Sequence, residues 1–520
     1  MSFSHVYSAQ ANLVRATIIS VEVDLSKGLH AFSIVGLPDK AVEESRDRIS
    51  AAIKNSGFAS PKSKNQKVVI SLAPADIKKE GPSFDVSMAL AYLLASDEIS
   101  FDCEEKLFLG ELSLDGKIRA ISGTLPLVRE AQKRGFKEVF VPINNAREAA
   151  LISTITVYGV DSLRSLINHI NTKKQKNNVV FVSKKLIPHE PTRLPIDNKL
   201  QYETDFCDVK GQEGAKRGLE IAAAGGHNIS MFGPPGTGKT MLARAFTHLL
   251  PPLSFEEMLE VTSIHSVCGI LKGEIMTRAP FRSPHHTSSY ISIVGGGAIP
   301  KPGEITLAHR GVLFMDEFPE FDRNVIDALR QPLEEHVITI SRAKGTSTFP
   351  AQVILVVAMN PCPCGNHGIK EKECSCSQQN LLRYQRKISG PIIDRIDIWT
   401  EVSVINHQGL SEKGASGETT ETIRLRVEAA RSRQLERFKY HPREIKTNSE
   451  MNARDLHTYI HLDKDAQEIL TSSAERLQLS GRAHHRMMKL AQTIADLKEK
   501  PSVDSESILE ALQYRPKRSY

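Results

Sequence analysis

Residues 229–246 read ISMFGPPGTGKTMLARAF. Four β-prone residues run into Gly233-Pro-Pro-Gly-Thr-Gly-Lys-Thr240, and a helix-forming segment follows. Strand, glycine-rich turn and helix in that order predict a loop whose backbone N–H groups point at phosphate oxygens, aided by the dipole of the helix. Gly236 and Gly238 permit backbone conformations and close approaches that a side chain would block. In this reading Gly233, Pro234, Pro235, Gly236, Thr237, Gly238, Lys239 and Thr240 bind nucleotide. Lys239 reaches the β- and γ-phosphates, and Thr240 holds Mg2+ through its hydroxyl. ATP and Mg2+ are therefore the expected cofactors.

The partner of such a loop is a strand that ends in carboxylates. Residues 312–317 read VLFMDE, an apolar run delivering Asp316 and Glu317 to its end. Asp316 is expected to complete the Mg2+ shell and Glu317 to activate the attacking water. A further apolar run, VILVVAMN at 353–360, ends on Asn360, which is expected to hydrogen-bond the water or the γ-phosphate. Buried-strand patterns alternating with helices read as an α/β core.

The rest of the chain organises itself around this core. Residues 1–170 mix short apolar strands (VRATIISVEVDL, KVVISLAP, KEVFVPI, TITVYGV) with amphipathic helices at 84–96 and 124–134, predicting an N-terminal α/β domain. Residues 171–205 are polar and proline-broken and read as a linker. The core spans 206–415. From 416 to 520 the pattern is helical: TTETIRLRVEAARSRQLERF, DKDAQEILTSSAERL, SGRAHHRMMKLAQTIADLK and DSESILEALQY.

With 520 residues, 40% hydrophobic and 25% charged, the chain is a multidomain globular protein by composition. No run approaches the roughly 18 apolar residues of a membrane span. The start, MSFSHVYSAQANLV, has no basic segment followed by an apolar one, so the expected location is the cytoplasm. A net charge of +6 is that of a solvated, mixed-charge surface; it permits a polyanionic partner without indicating one.

Of seven cysteines, Cys362, Cys364, Cys374 and Cys376 crowd into NPCPCGNHGIKEKECSCSQQN (360–380). In a reducing compartment such a loop, 361–377, points to metal before disulfides. Four thiolates close a tetrahedral structural Zn2+ site with no position left for substrate, and His367 is an alternative ligand. Free thiols and redox chemistry are the competing readings. The spacing C-x-C is tighter than the usual C-x2–4-C.

A P-loop among separated apolar strands, followed by a helical domain, resembles the AAA+ ATPase fold with a helical lid. The resemblance implies an arginine finger in SGPIIDRIDI (389–398), at Arg395, completing a neighbouring subunit's site. It also implies a second sensor in SGRAHHR, at Arg482 or, alternatively, Arg486. Arginine suits both roles, being permanently charged and able to fork onto phosphate oxygens. A finger supplied in trans implies a homo-oligomeric ring, by family expectation a hexamer.

FRSPHHTSSYISIVGGGAIPKPGEITLAHRGVLFMDE (281–317) resembles the magnesium-chelatase-like branch, and within it the bacterial ComM/YifB competence-protein group. The implied function is an ATP-driven DNA motor: a helicase for branch migration during DNA processing in natural transformation. A hairpin pattern, VITISRAKGTSTFPAQ (337–352), resembles the pre-sensor hairpin of replicative helicases, with Arg342 and Lys344 as the expected phosphate contacts. Lys272, Lys301 and Arg310 are weaker candidates. The alternative from a different class is a metal-chelatase-type ATPase acting on a protein partner.

KKEGPSFDVSMALAYLLAS (78–96) resembles the nucleophile segment of Lon-type proteases, with Ser83 at the serine position, and 110–142 resembles Lon's downstream segment. The implied fold of the N-terminal domain is Lon-protease-like (S5 domain 2-like). The position of the dyad lysine falls at Leu125, which cannot take a proton. Lys117 lies upstream on another part of the fold. Proteolysis is accordingly the least favoured reading.

Overall fold

A computed structural model describes residues 2–12, 15–173, 185–192, 204–271, 275–297, 301–342, 345–368, 373–404 and 417–516. The chain divides into two compact units, one of residues 1–196 with 258–276, the other of 197–257 with 277–520. Much of the expected linker lies outside the described residues. No helix among the described residues is long and apolar enough to cross a membrane.

The first unit is built on a mixed seven-stranded sheet. Its strands are β1 (Phe3–Asn12), β2 (Arg15–Lys27), β3 (Ala31–Val35), β4 (Gln66–Ala73), β5 (Lys106–Phe108), β6 (Glu138–Pro142) and β7 (Thr156–Val160), in the order β3-β4-β2-β1-β5-β6-β7. β1 runs antiparallel to β2 but parallel to β5, so one polar strand sits in the middle of the sheet. Its buried Ser8 donates to the Phe108 carbonyl and its Gln10 amide to the Lys78 carbonyl, which makes the polar residues tolerable there.

Helices α1 (Lys40–Asn55), α2 (Asp85–Ala95) and α3 (Thr124–Lys133) belong to the same unit. Helix α2 departs from the amphipathic expectation: nearly every one of its residues is buried. Its first residue, Asp85, is fully buried yet holds the Arg48 guanidinium at 2.9 Å and accepts the Leu112 amide. Burial nevertheless raises the Asp85 carboxyl above the ordinary carboxylate range, against the pull of Arg48. Removing Arg48 alone would strand that carboxyl in the core.

The second unit includes the strands β8 (Ile229–Phe232), β9 (Phe281–Arg282), β10 (Val312–Met315), β11 (Val337–Arg342), β12 (Gly345–Pro350), β13 (Ile354–Met359) and β14 (Ile398–Glu401), five of which form an all-parallel sheet in the order β9-β10-β13-β8-β14. Strands β11 and β12 stand apart as an antiparallel hairpin in which Arg342 faces Gly345 in register. Every residue of β10 is buried, as are all but the first of β13. Residues covered on both faces account for the unbroken apolar runs in the sequence.

Helices α4 (Glu213–Gly225) and α5 (Lys239–Thr247) flank this sheet, and α6 (Thr420–Phe438), α7 (Ala453–Tyr459), α8 (Lys464–Leu477), α9 (Gly481–Leu497) and α10 (Ser505–Gln513) follow it. These C-terminal helices share one hydrophobic core with the sheet: Ile494, Leu490 and Val427 cluster with Ile229, Val356 and Ile398. A buried polar seam reinforces the contact. Arg437 forks onto Asp496, which also accepts from Asn448, and Asn448 in turn donates to Thr493 beside His227.

Candidate nucleotide site

β8 lies between β13 and β14, and the chain leaves its end directly into the phosphate loop. Gly233 donates its amide to the Met359 carbonyl at 3.1 Å. A Cβ at Gly233 would stand 2.0 Å from the Val402 carbonyl oxygen, so only glycine lets the loop pass between its neighbours. Gly236 and Gly238 take φ of +78° and +88°, the left-handed region expected of them.

Lys239 begins α5 and is buried at 7% exposure. Its ammonium donates to the carbonyls of Gly233 and Pro234, both at 2.7 Å, and to Asn360 Oδ1 at 3.2 Å. Burial lowers the affinity of this amine for its proton, while Asp316 opposes that effect. Thr240 Oγ1 donates to Asp316 Oδ2 at 3.0 Å, and the Glu317 amide donates to Asp316 Oδ1 at 2.9 Å. Residues from 240, 316, 317 and 360 are thus drawn to one end of the sheet. A hydroxyl and a carboxylate oxygen side by side form a hard-oxygen pair of the kind Mg2+ takes.

Glu317 has φ of +51°, a left-handed backbone uncommon for a non-glycine residue. Its carboxylate lies 3.0 Å from Nδ1 of His286. His286 lies in the 281–317 segment, where its sequence context signals no role. Nothing in the local pattern pairs a loop after β9 with a turn after β10; the two meet only because those strands are neighbours.

Arg395 and Arg482 converge elsewhere. Arg395 Nη2 is 2.5 Å from Glu334 Oε1, and Arg482 Nη2 is 3.6 Å from the same oxygen. Among the described residues neither forms a hydrogen bond or ion pair with the phosphate loop, Asp316 or Glu317 of its own chain. Arg486, the alternative sensor, is buried and donates to the carbonyls of Ile393 and Ile396. It props the segment that presents Arg395, whereas the Arg482 side chain is 65% exposed.

The Sγ atoms of Cys362, Cys364, Cys374 and Cys376 all lie within 4.8 Å of one another. The closest separations are 3.2, 3.6 and 3.8 Å. A tetrahedron with Zn–S bonds of about 2.3 Å has edges of about 3.8 Å, so the donor set matches such an ion in number, softness and size. His367 contributes its amide to Cys362 Sγ, and its ring is not among the grouped ligands. The amide of Asn366 and the thiol of Cys362 hold Cys364 down at about 5, favouring its thiolate. The cysteine loop also leans on the phosphate loop: a Cβ at Gly365 would stand 2.6 Å from Cδ of Pro235.

Of the expected DNA contacts, the Arg342 side chain and Lys344 lie outside the described residues, as does Lys272. Lys301 is exposed. Arg310 is held by Gln352 at 2.6 Å and faces Glu257, which gives it a structural use.

In the first unit, Ser83 sits in a short 3-10 turn before α2, and its carbonyl accepts the Gly110 amide. Leu125 is fully buried near the start of α3, its amide bonded to the Glu148 carboxylate. Lys117 pairs with Asp115 and is largely exposed. No described lysine hydrogen-bonds the Ser83 side chain.

The chain is similar to known proteins along nearly its whole length. The family described as "Magnesium chelatase, subunit ChlI" matches residues 205–410; "Subunit ChlI of Mg-chelatase" matches 21–145, and "Magnesium chelatase, subunit ChlI C-terminal" matches 417–515. Competence protein ComM of Haemophilus influenzae is 40% identical over 518 residues, covering 99% of this chain and 98% of that protein. The Escherichia coli protein YifB is 40% identical over 517 residues, covering 99% and 97%. Lon protease 2 of Bacillus subtilis is similar over a smaller part, 29% identical across 164 residues, or 29% of this chain and 28% of that one.

Proposed function

The chain belongs to the magnesium-chelatase-like AAA+ ATPase family, in the group of ComM and YifB, and from that premise we propose that it is an ATP-driven motor acting on DNA as a hexameric ring. The observation that carries the ATPase part is the convergence of Lys239, Thr240, Asp316, Glu317 and Asn360 at one end of a parallel sheet. The DNA part rests on full-length similarity to a competence protein.

In this mechanism Lys239 and the loop amides hold the phosphates, and Thr240 with Asp316 holds Mg2+. The bound ion supplies charge neutralisation to the phosphate oxygens. Glu317 takes a proton from the attacking water, and Asn360 orients it. Arg395 and Arg482 serve a neighbouring subunit: their shared anchor, Glu334, keeps both guanidinium groups together and away from their own chain's loop. A ring follows, because each site is completed by the next copy. Strand displacement on forked DNA, dependent on ATP, tests the whole reading; its absence in assembled, ATP-hydrolysing protein rejects the DNA assignment.

The hairpin β11–β12 is the proposed DNA contact, through Arg342 and Lys344. Replacing both by alanine is expected to flatten the salt dependence of DNA binding by about 0.7–0.9 in log–log slope per lost contact and engaged subunit. The loss is similar across sequences, since backbone contacts position without reading bases. Basal ATP turnover persists while strand displacement collapses. Wild-type displacement of forked DNA by the double variant would discard the hairpin as the DNA path.

The four cysteines are proposed to hold a structural zinc that stiffens the loop packed on Pro235. Purified protein is expected to carry about one Zn2+ per chain, the number a four-thiolate site takes. Cys374→Ser is expected to lower metal content and thermal stability together, the midpoint falling by about 2–4 °C for each kcal/mol lost. Metal-free protein from a chelator-free preparation would refute the site.

A further inference from the structure

Helix α5 carries the phosphate loop at one end and a separate cavity of about 700 Å3 at the other. The cavity is lined by residues of the second unit alone. Four arginines line it, Arg244, Arg278, Arg282 and Arg424, and the lining holds one carboxylate, Glu304, while Arg424 is also paired with Glu421 and Glu428 of its own helix at 2.8 and 3.5 Å. Glu304 is already spoken for: Arg282 grips it bidentately at 2.6 and 2.7 Å. Arg244 is exposed and has no carboxylate partner among the described residues. Pro251 and Phe281 add apolar lining, and the Phe281 ring is stacked on Phe314 of the core.

We infer that this cavity is a second site for a nucleotide unit, an anionic phosphate joined to a flat base, distinct from the phosphate loop. Its volume lies in the range of small-molecule sites, and an apolar floor with a few convergent charged groups is the usual make-up of one. Guanidinium forks match phosphate oxygens in geometry as well as charge. A base is accepted by flat apolar groups without regard to its identity. The C-terminal turn of α5, which lines the cavity, disfavours an anion through its dipole, an effect smaller than that of a charged hydrogen bond from Arg244. The nucleotide unit has two possible sources, a free nucleotide or a link of single-stranded DNA. Only the second rests on the DNA reading given above.

The test uses full-length protein carrying Lys239→Ala, which removes the phosphate loop's contribution. Fluorescence anisotropy is read with two probes, a labelled oligothymidylate and a fluorescent AMP analogue. Arg244→Glu is the main variant, since an exposed side chain without an ion-pair partner leaves the core untouched; Arg244→Lys keeps charge but loses the fork. At least one probe is expected to bind, and Arg244→Glu to weaken it by about tenfold, the scale of one charged hydrogen bond. Arg244→Lys falls between the two. For oligothymidylate the log–log salt slope also drops by about 0.7.

A response confined to oligothymidylate assigns the site to a DNA strand, and one confined to the AMP analogue assigns it to free nucleotide. An AMP response without any oligothymidylate binding keeps the cavity and removes the DNA reading. Oligothymidylate bound equally by both proteins, with no AMP response, leaves the DNA reading standing and overturns this inference. So does a failure of both probes to bind. Capture of a polyglutamate peptide that Arg244→Glu abolishes, with both nucleotide probes indifferent, overturns it in favour of an acidic protein partner.

Discussion

Lys239→Ala is expected to lose ATP binding and turnover together, whereas Glu317→Gln is expected to bind ATP with Mg2+ and hydrolyse it at least about a hundredfold more slowly, the usual contribution of a general base. The two changes fail differently because the two residues do different work. Lys239 is a buried cation whose ammonium already spans the loop carbonyls and Asn360, so its loss removes both phosphate neutralisation and a brace of the loop. Glu317 is half exposed and touches His286, not the loop. Glutamine keeps its length and its ability to meet His286, and removes only the charge that accepts a proton. Fluorescent-nucleotide titration with phosphate-release kinetics separates the outcomes. Turnover of Glu317→Gln at the wild-type rate contradicts the assignment.

Arg395→Ala is expected to leave ATP affinity of isolated subunits within about twofold while turnover of the assembled protein falls about a thousandfold, the scale of an arginine finger. Glu334 keeps Arg482 as a partner after the change, so the subunit has no new unpaired charge. Mixing Arg395→Ala with Lys239→Ala is expected to restore part of the activity, because some interfaces then join an intact loop to an intact finger. Mixtures that co-assemble, as seen by subunit exchange, yet stay inactive would argue that Arg395 acts within its own chain.

Much of the ATPase sheet was legible because its strands are buried on both faces: VLFM and ILVVAM can be read without their neighbours. The phosphate loop was legible for a similar reason, since each glycine answers a local demand, the close approach at Gly233 and the left-handed backbone at Gly236 and Gly238. Strand β1 was not. FSHVYSAQAN has too many polar residues to look like the middle of a sheet, and only the distant carbonyls of Phe108 and Lys78 make Ser8 and Gln10 acceptable there. Helix α2 looked amphipathic because Asp85, Ser87 and Tyr92 are polar, but all three are buried.

The site divides along the same line. Asp316, Glu317 and Asn360 announce themselves by ending apolar runs. Glu334 and His286 have no such context, and their meaning comes from which elements meet in space. Arg482 and Arg486, one helical turn apart on α9, are equivalent in sequence; burial separates them, with Arg486 tied to the carbonyls of Ile393 and Ile396 on either side of Arg395.

The proposal of a DNA motor is most directly tested by the ATP turnover of assembled, full-length protein, measured with forked DNA, with a porphyrin in the presence of Mg2+, and with casein. The account predicts that DNA raises turnover while porphyrin and casein leave it at the basal rate, and that Glu317→Gln shows no response to any of them. Stimulation by porphyrin with indifference to DNA would contradict it.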